Sequence, residues 1–275
     1  MVSAMSNEAA AEALRRLRGR DGGYAPAPGG QSEPEPTALA ALALQDPDAT
    51  QWLIDHQQDD GGFITGPPAL HNDSATSIAI LPLTGAPRER AIDFLASHPA
   101  PAIPFDARFP HDPATRGWGW TSRTFGWVEP TARAVLALKL SRPAASAEID
   151  DGLAVLRDRE CEAGGWNYGS REVLDRMLEP FLQTTAVGLM AVQNGPEDLR
   201  DRAAERVLEL WATERGGLGW SMGLVALRLV GLAADEHADA LEEFVAENRL
   251  LDDAVALGWA VLALGDGWRA VEVPP

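Results

Sequence analysis

The sequence predicts an all-α protein, a single-domain (α/α)6 toroid in which six helical hairpins close into a double ring. Three observations predict it. A leucine stands eight residues before a glycine pair four times along the chain. The segments leading into the glycines are amphipathic. The segments that follow are apolar nearly all round and rich in alanine and glycine, which marks helices buried on most sides.

The repeat runs Leu14 to Gly22-Gly23-Tyr24, Leu53 to Gly61-Gly62-Phe63, Leu156 to Gly164-Gly165-Trp166 and Leu208 to Gly216-Gly217-Leu218. In the segment 202–214, Ala203, Val207, Leu210 and Trp211 recur at spacings of three and four, with Arg202, Glu205, Arg206 and Glu209 between them. That is a helix with one buried face, and the glycines end it by accepting the left-handed conformation common just past a helix terminus.

The buried helices open on residues suited to a helix start: Thr37 after Glu35-Pro36, Ser74 after Asn72-Asp73, Thr131 after Glu129-Pro130, then Thr184, Ser221 and Asp253. Hydroxyl and carboxylate side chains cap exposed amides, and proline suits the first turn. The spacing is uneven, about 37 residues between the first two starts and about 57 between the next two, because a Pro-rich insertion occupies 97–115. Asp150-Asp151 are expected to cap an outer helix. A linear solenoid would need polar end caps, so six hairpins sharing one fully apolar helix set predict closure. One domain over 1–275 is expected, with a repeat core of about 10–265 and a short tail at 269–275.

Composition narrows the partners. The chain holds 23 Lys+Arg against 41 Asp+Glu, a formal charge of −18, which disfavours nucleic acid and anionic membrane surfaces. Lys139 is the only lysine, and Cys161 the only cysteine, so no internal disulfide or multi-cysteine metal site is expected. The first ten residues lack a basic and an apolar signal region, and no apolar run reaches the ~20 residues of a membrane span. A cytoplasmic protein without an integral membrane segment is expected.

The residues then resemble a known superfamily. Trp52-Leu53-x3-Gln57-x3-Gly61-Gly62-Phe63 resembles the QW repeat of squalene–hopene cyclases and its counterpart in protein prenyltransferase β subunits. Residues 161–169 with Gln183-Thr184-Thr185-Ala186, and Gly117-Trp118-Gly119-Trp120 with Phe125-Gly126-Trp127 and Glu129-Pro130-Thr131, are similar to the same terpenoid cyclase and prenyltransferase superfamily. The resemblance covers roughly 10–265 and implies the toroid, an isoprenoid or other apolar ligand in a central cavity, and a terpenoid cyclase-like or prenyltransferase-like activity.

Candidate residues follow. Prenyltransferases hold zinc with an Asp-x-Cys pair and a His at inner-helix starts; the matching openings here carry neither Cys nor His, so no metal and no cofactor is expected. Class II cyclases use an Asp-x-Asp-Asp motif whose middle acid must stay protonated, which needs burial or a neighbouring carboxylate. Asp252-Asp253, with Leu250 where the leading Asp would stand, are its nearest match, and both also suit a helix start. Asp73, beside His71, and Glu129, beside Trp127, are the other helix-start carboxylates.

Trp118, Trp120, Trp127, Trp166, Tyr168 and Trp259 are the expected lining for an apolar or carbocationic ligand. Arg123, with Arg116 and Arg133, would serve a diphosphate. The favoured reading of Tyr24, Phe63 and Trp166 is a structural one, stapling each glycine turn to the core, which leaves Trp118, Trp120 and Trp127 as the first choice for pocket lining. Against the cyclase-like reading stand a non-catalytic toroid binding a lipid, peptide or partner protein, and a glycan-active enzyme using Asp73 and Glu129 as acid and base.

Overall fold

The computed structural model describes residues 2–66, 70–104 and 111–274. Among them are α1 (Val2–Arg15), α2 (Pro34–Leu44), α3 (Pro47–His56), α4 (Asp73–Ala79), α5 (Gly85–Ser97), α6 (Val128–Ser141), α7 (Ser146–Arg159), α8 (Leu182–Val192), α9 (Glu197–Thr213), α10 (Gly217–Leu229), α11 (Asp235–Ala246) and α12 (Ala254–Leu264). Two miniature antiparallel hairpins join them: β1 (Ile64–Thr65) with β2 (Leu70–His71), and β3 (Glu172–Val173) with β4 (Arg176–Met177).

Odd-numbered helices lie outside and even-numbered ones inside. Each inner helix packs on the next, and α12 packs back on α2, so the inner ring closes as the repeat predicts. The first outer helix, α1, rests on α11 and α12, which brings the start of the chain against its last hairpin. Every inner helix is entered from an outer one, so all six N-termini share one mouth. The opposite mouth is covered by the tail. A 3-10 turn (Gly267–Val271) touches α2, α10 and α12, while Gln193 at the end of α8 donates to the Val271 carbonyl at 2.9 Å and accepts from Val273 N–H.

The repeat has a shared hydrogen-bond pattern. After each glycine turn an aromatic residue donates its backbone N–H to a threonine hydroxyl in the first turn of the next inner helix. The pairs are Tyr24 to Thr37 at 2.8 Å, Phe63 to Thr76 at 3.1 Å, Trp118 to Thr131 at 3.0 Å and Trp166 to Thr185 at 3.1 Å. The same four residues accept through their carbonyls from the N–H just before each helix, at Glu33, Asn72, Trp127 and Phe181. Gly61 adopts φ +94, and a Cβ there would strike the Arg90 carbonyl of α5, so this turn admits only glycine.

Three expectations change. Gly216 and Gly217 do not make a turn of this kind: Gly216 is the residue just before α10, and Leu218 already lies inside that helix. Asp150-Asp151 fall in the second turn of α7, which starts at Ser146. Trp118, which follows a single glycine, holds the third aromatic staple. Part of the Pro-rich insertion, 105–110, lies outside the described residues.

Thr131→Val keeps the shape and removes the acceptor for the buried Trp118 N–H. It is expected to cost about 1–3 kcal/mol, read as a lower urea midpoint at unchanged slope, while Thr213→Val on the exposed face of α9 is expected to stay within ~0.5 kcal/mol.

Candidate functional site

The mouth at the inner-helix N-termini has an apolar rim. Eleven large apolar side chains are exposed among the described residues, and ten of them lie on connections that lead into inner helices. Leu70, Ile103 and Trp120 stand before α4 and α6; Tyr168, Val173, Leu174, Met177, Leu178 and Phe181 before α8; Leu251 before α12. Only Leu232 lies elsewhere. Exposed apolar side chains gathered on one face mark a binding surface more often than scattered ones do.

Within this rim is a slot of about 320 Å³ between the α6 and α8 entrances, walled by Trp127, Tyr168, Gly169, Leu178 and Phe181, with Glu179 at its edge. Trp127 and Phe181 occupy the N-cap positions of α6 and α8, which sets the two walls on the rigid ring. Tyr168 and Phe181 meet at a ring-centroid distance of 5.3 Å. The β3–β4 hairpin delivers Leu178, whose N–H closes on the Arg171 carbonyl at 2.8 Å.

Beneath the rim the ring is crossed by ions. Arg133 of α6, with a side chain 2% exposed, donates from Nη1 to Glu35 of α2 at 2.6 Å and to Ser74 of α4 at 3.0 Å. Its Nη2 donates to Glu129 at 2.6 Å, and Gln183 of α8 donates to the other Glu129 oxygen at 3.1 Å. Helices α2 and α8 stand opposite each other in the ring, so this chain of contacts spans its diameter. The central cavity expected for an apolar ligand is therefore occupied at this level by a guanidinium and two carboxylates. Burial pushes the Glu129 carboxyl up, with the attraction of Arg133 offsetting part of the rise. Burial opposes the Arg133 charge, yet Glu35 and Glu129 outweigh it and raise its pKa.

Asp73 sits beside this network at the start of α4 and is 1% exposed. One oxygen accepts from the Ser122 hydroxyl, while the other, Oδ2, is buried without a hydrogen-bond partner. Burial drives its pKa up to about 6, against the opposing pull of Ser122 and the Gly119 N–H. Ser122 N–H also donates to the His71 carbonyl, so the turn that carries Trp120 and Arg123 is pinned over the α4 entrance. Ring stacking of His71 on Phe94 and of Phe94 on His98 supports it from the outer side.

The other expected site residues separate into distinct roles. Asp253 is the N-cap of α12, accepting from Val255 and Ala256 N–H at 2.9 and 3.0 Å. Asp252 lies 3.9 Å from Arg16 on the rim side of α1, apart from the Arg133 network. Trp118 and Trp166 are fully buried, their indole N–H groups donating to the Leu95 and Leu156 carbonyls of the outer helices. Trp259 is buried in α12. These three fill the core, Trp127 and Tyr168 wall the slot, and Trp120 and Arg123 stand at the surface. Cys161 is buried beside Asn167, and no group of three potential metal ligands occurs among the described residues.

Sequence reasoning overlooked Glu35, Gln183, Ser122, Leu178, Glu179 and Phe181. For Glu35 a signal existed: Glu-Pro-Thr occurs identically at 35–37 and 129–131, and both glutamates grip Arg133.

No protein-family model matches the sequence, and no curated protein is significantly similar to it. The fold has solved counterparts. A crystal structure of a protein from Actinoplanes matches with a TM-score of 0.60 at 16% identity, over 98% of this chain and 99% of that one. An inactive variant of the α-1,6-mannanase GH76A of Salegentibacter, in complex with α-1,6-mannotriose, matches with a TM-score of 0.57 at 10% identity, over 95% of this chain and 99% of the other. The type II terpene cyclase MstE from Scytonema matches with a TM-score of 0.55 at 15% identity, over 91% of this chain and 78% of its own. These likenesses establish the α/α toroid and nothing finer. Among the described residues no helix is long and apolar enough to cross a membrane.

Because the folded-state pKa of Asp73 lies above its ordinary 3.8, its contribution to stability is complete below that value and fades as pH rises through about 6. Asp73→Asn is expected to stabilise the protein at pH 7.5 by on the order of 2–3 kcal/mol and to leave it unchanged at pH 3.5. Paired thermal melts at the two pH values check this; equal shifts at both would remove the assignment to Asp73.

Proposed function

We propose that the protein binds an apolar small molecule of the isoprenoid class at the mouth of the toroid, in the slot between the α6 and α8 entrances. The observation that carries this reading is the slot itself: about 320 Å³ walled by Trp127, Tyr168, Leu178 and Phe181, set in a rim that gathers nearly all the exposed apolar side chains. Its size is at the lower end of the roughly 300–1,000 Å³ of small-molecule sites, and aromatic walls on fixed helix starts are the usual construction of such sites. Full burial of a ligand's apolar surface against them would contribute about 25 cal/mol per Å². Placement at the mouth, rather than in a central cavity, follows from the Arg133 network.

Among the carboxyl groups at this mouth Asp73 is the one best able to hold a proton, but it stands at the α4 entrance outside the slot's lining, so no catalytic role toward a slot ligand is assigned to it. It combines burial with an oxygen free of hydrogen bonds, whereas Glu129 is held by Arg133 and Gln183, and Asp253 by its capping role.

Binding is tested by tryptophan fluorescence with farnesol as the probe. Saturable quenching is expected, with Tyr168→Ala and Phe181→Ala each weakening affinity about tenfold, the effect of losing ~1.4 kcal/mol of apolar contact. Trp120→Ala is expected to change it little. Absence of saturable binding, or wild-type affinity in both slot variants, would overturn the reading and favour a toroid that engages a peptide or partner protein.

A further inference from the structure

We propose that this mouth selects apolar molecules whose head group donates hydrogen bonds, an alcohol or an amine, and rejects those ending in a diphosphate or carboxylate. The inference deepens the slot-binding reading and rests on it.

The slot's described lining contains a single charged side chain, Glu179, and it is a carboxylate. Asn167, the neighbouring amide, has no free donor to turn inward. Its Nδ2 donates to the Ser170 carbonyl at 2.7 Å and contacts Cys161 Sγ, while its Oδ1 accepts from the Gly169 and Ser170 N–H groups. The guanidinium nearby, Arg159, does not line the slot and is already partnered. It pairs with Asp158 at 3.1 Å, donates to the Gly169 carbonyl at 2.7 Å, and lies 4.9 Å over the Phe125 ring.

Two residues beyond the walls Trp127 and Phe181 come Glu129 and Gln183, the end of the network that runs to Glu35. Both Arg133 Nη atoms already bond to Glu35 and Glu129, so this guanidinium has no open fork to offer an anion. A diphosphate here would meet Glu179, with no cation in the described lining to receive it. A hydroxyl or ammonium head finds acceptors instead, and a charge within a few ångströms in a partly desolvated site acts with far more force than in bulk water. An arginine fork would have matched phosphate oxygens; here its counterpart in the ring is closed on glutamates.

The test compares three probes of one chain length, farnesol, farnesylamine and farnesyl diphosphate, on the full chain at 0.15 M salt. The alcohol and the amine are expected to bind at least tenfold tighter than the diphosphate. Glu179→Lys, at an exposed position without a structural bond, is expected to narrow the amine-to-diphosphate ratio at least tenfold, with folding checked by circular dichroism. Diphosphate binding as tight as the alcohol in the wild-type protein, with Tyr168→Ala still weakening both, would overturn the head-group inference and leave slot binding standing. A ratio unmoved by Glu179→Lys would overturn it likewise. Failure of all three probes to bind would remove the slot reading together with it.

Discussion

The hydrogen-bonded network centred on Arg133 links opposite sides of the inner ring, from Glu35 on α2 to Gln183 on α8, and the placement of everything else at the mouth depends on it. Stripping a guanidinium and a carboxylate of water costs several kcal/mol per ion, and their attraction returns this only when the geometry is good and the remaining bonds are made. Here two glutamates, a serine and a glutamine supply them from four different inner helices. Such a hub adds little net stability over a well-packed apolar core. Its effect is on uniqueness: a slip of α2, α4 or α8 against α6 would strand a buried charge. It also excludes an apolar chain from the axis at that level, since a ligand there would have to displace ions that have no water to return to. The tail over the far mouth works to the same end through Gln193, leaving the N-terminal mouth as the accessible end of the ring.

Small residues make that ring tight enough for the hub to form. Gly188 lies against the Trp166 ring and Gly258 against Leu39, so a methyl group at either would collide with its neighbour. Close approach of helices is what lets the short reach from Arg133 to Glu35 span past α4. The threonine staples then fix the height at which each chain segment enters the ring, and with it the positions of Trp127 and Phe181. The route from composition to rim is thus continuous: alanine and glycine set the ring's diameter, the hub fills it, and the exposed apolar surface is displaced onto the entrance loops.

Much of this architecture was legible in the sequence, because it rests on periodicity and on residue types with few alternatives. The leucine-to-glycine spacing and the apolar inner segments announced the hairpins, and the duplicated Glu-Pro-Thr announced the hub to a reader who looked for its counter-ion. Other features were hidden for identifiable reasons. Trp118 lacks a second glycine before it, so its staple looked like a surplus tryptophan free to line a pocket. Gly216-Gly217 has the spacing without the turn, since three residues between α9 and α10 leave no room for an aromatic staple. The rim was illegible because Val173, Leu174 and Met177 read as ordinary core residues; nothing in a one-dimensional pattern says that a hairpin will hold them outside.

That hairpin is where the fold departs most from economy. Leu174 and Asp175, between β3 and β4, both take left-handed backbone, φ 52 and 59. A leucine in that region costs roughly 1–2 kcal/mol, and this one recovers nothing from packing, being 90% exposed. The same turn without strain would take Asn-Gly. What the strained turn secures is the path of the chain that leaves it: Leu178 returns to pair with Arg171, and the next residues carry Glu179 to the slot's edge and Phe181 to the cap of α8. Strain that packing does not repay marks a position kept for something other than stability. The ring would close with a shorter connection before α8, as it does before α10, and the slot's second wall would then be missing. The loop's length, its apolar side chains and its strain are all accounted for by the surface it builds, and none of them by the toroid that carries it.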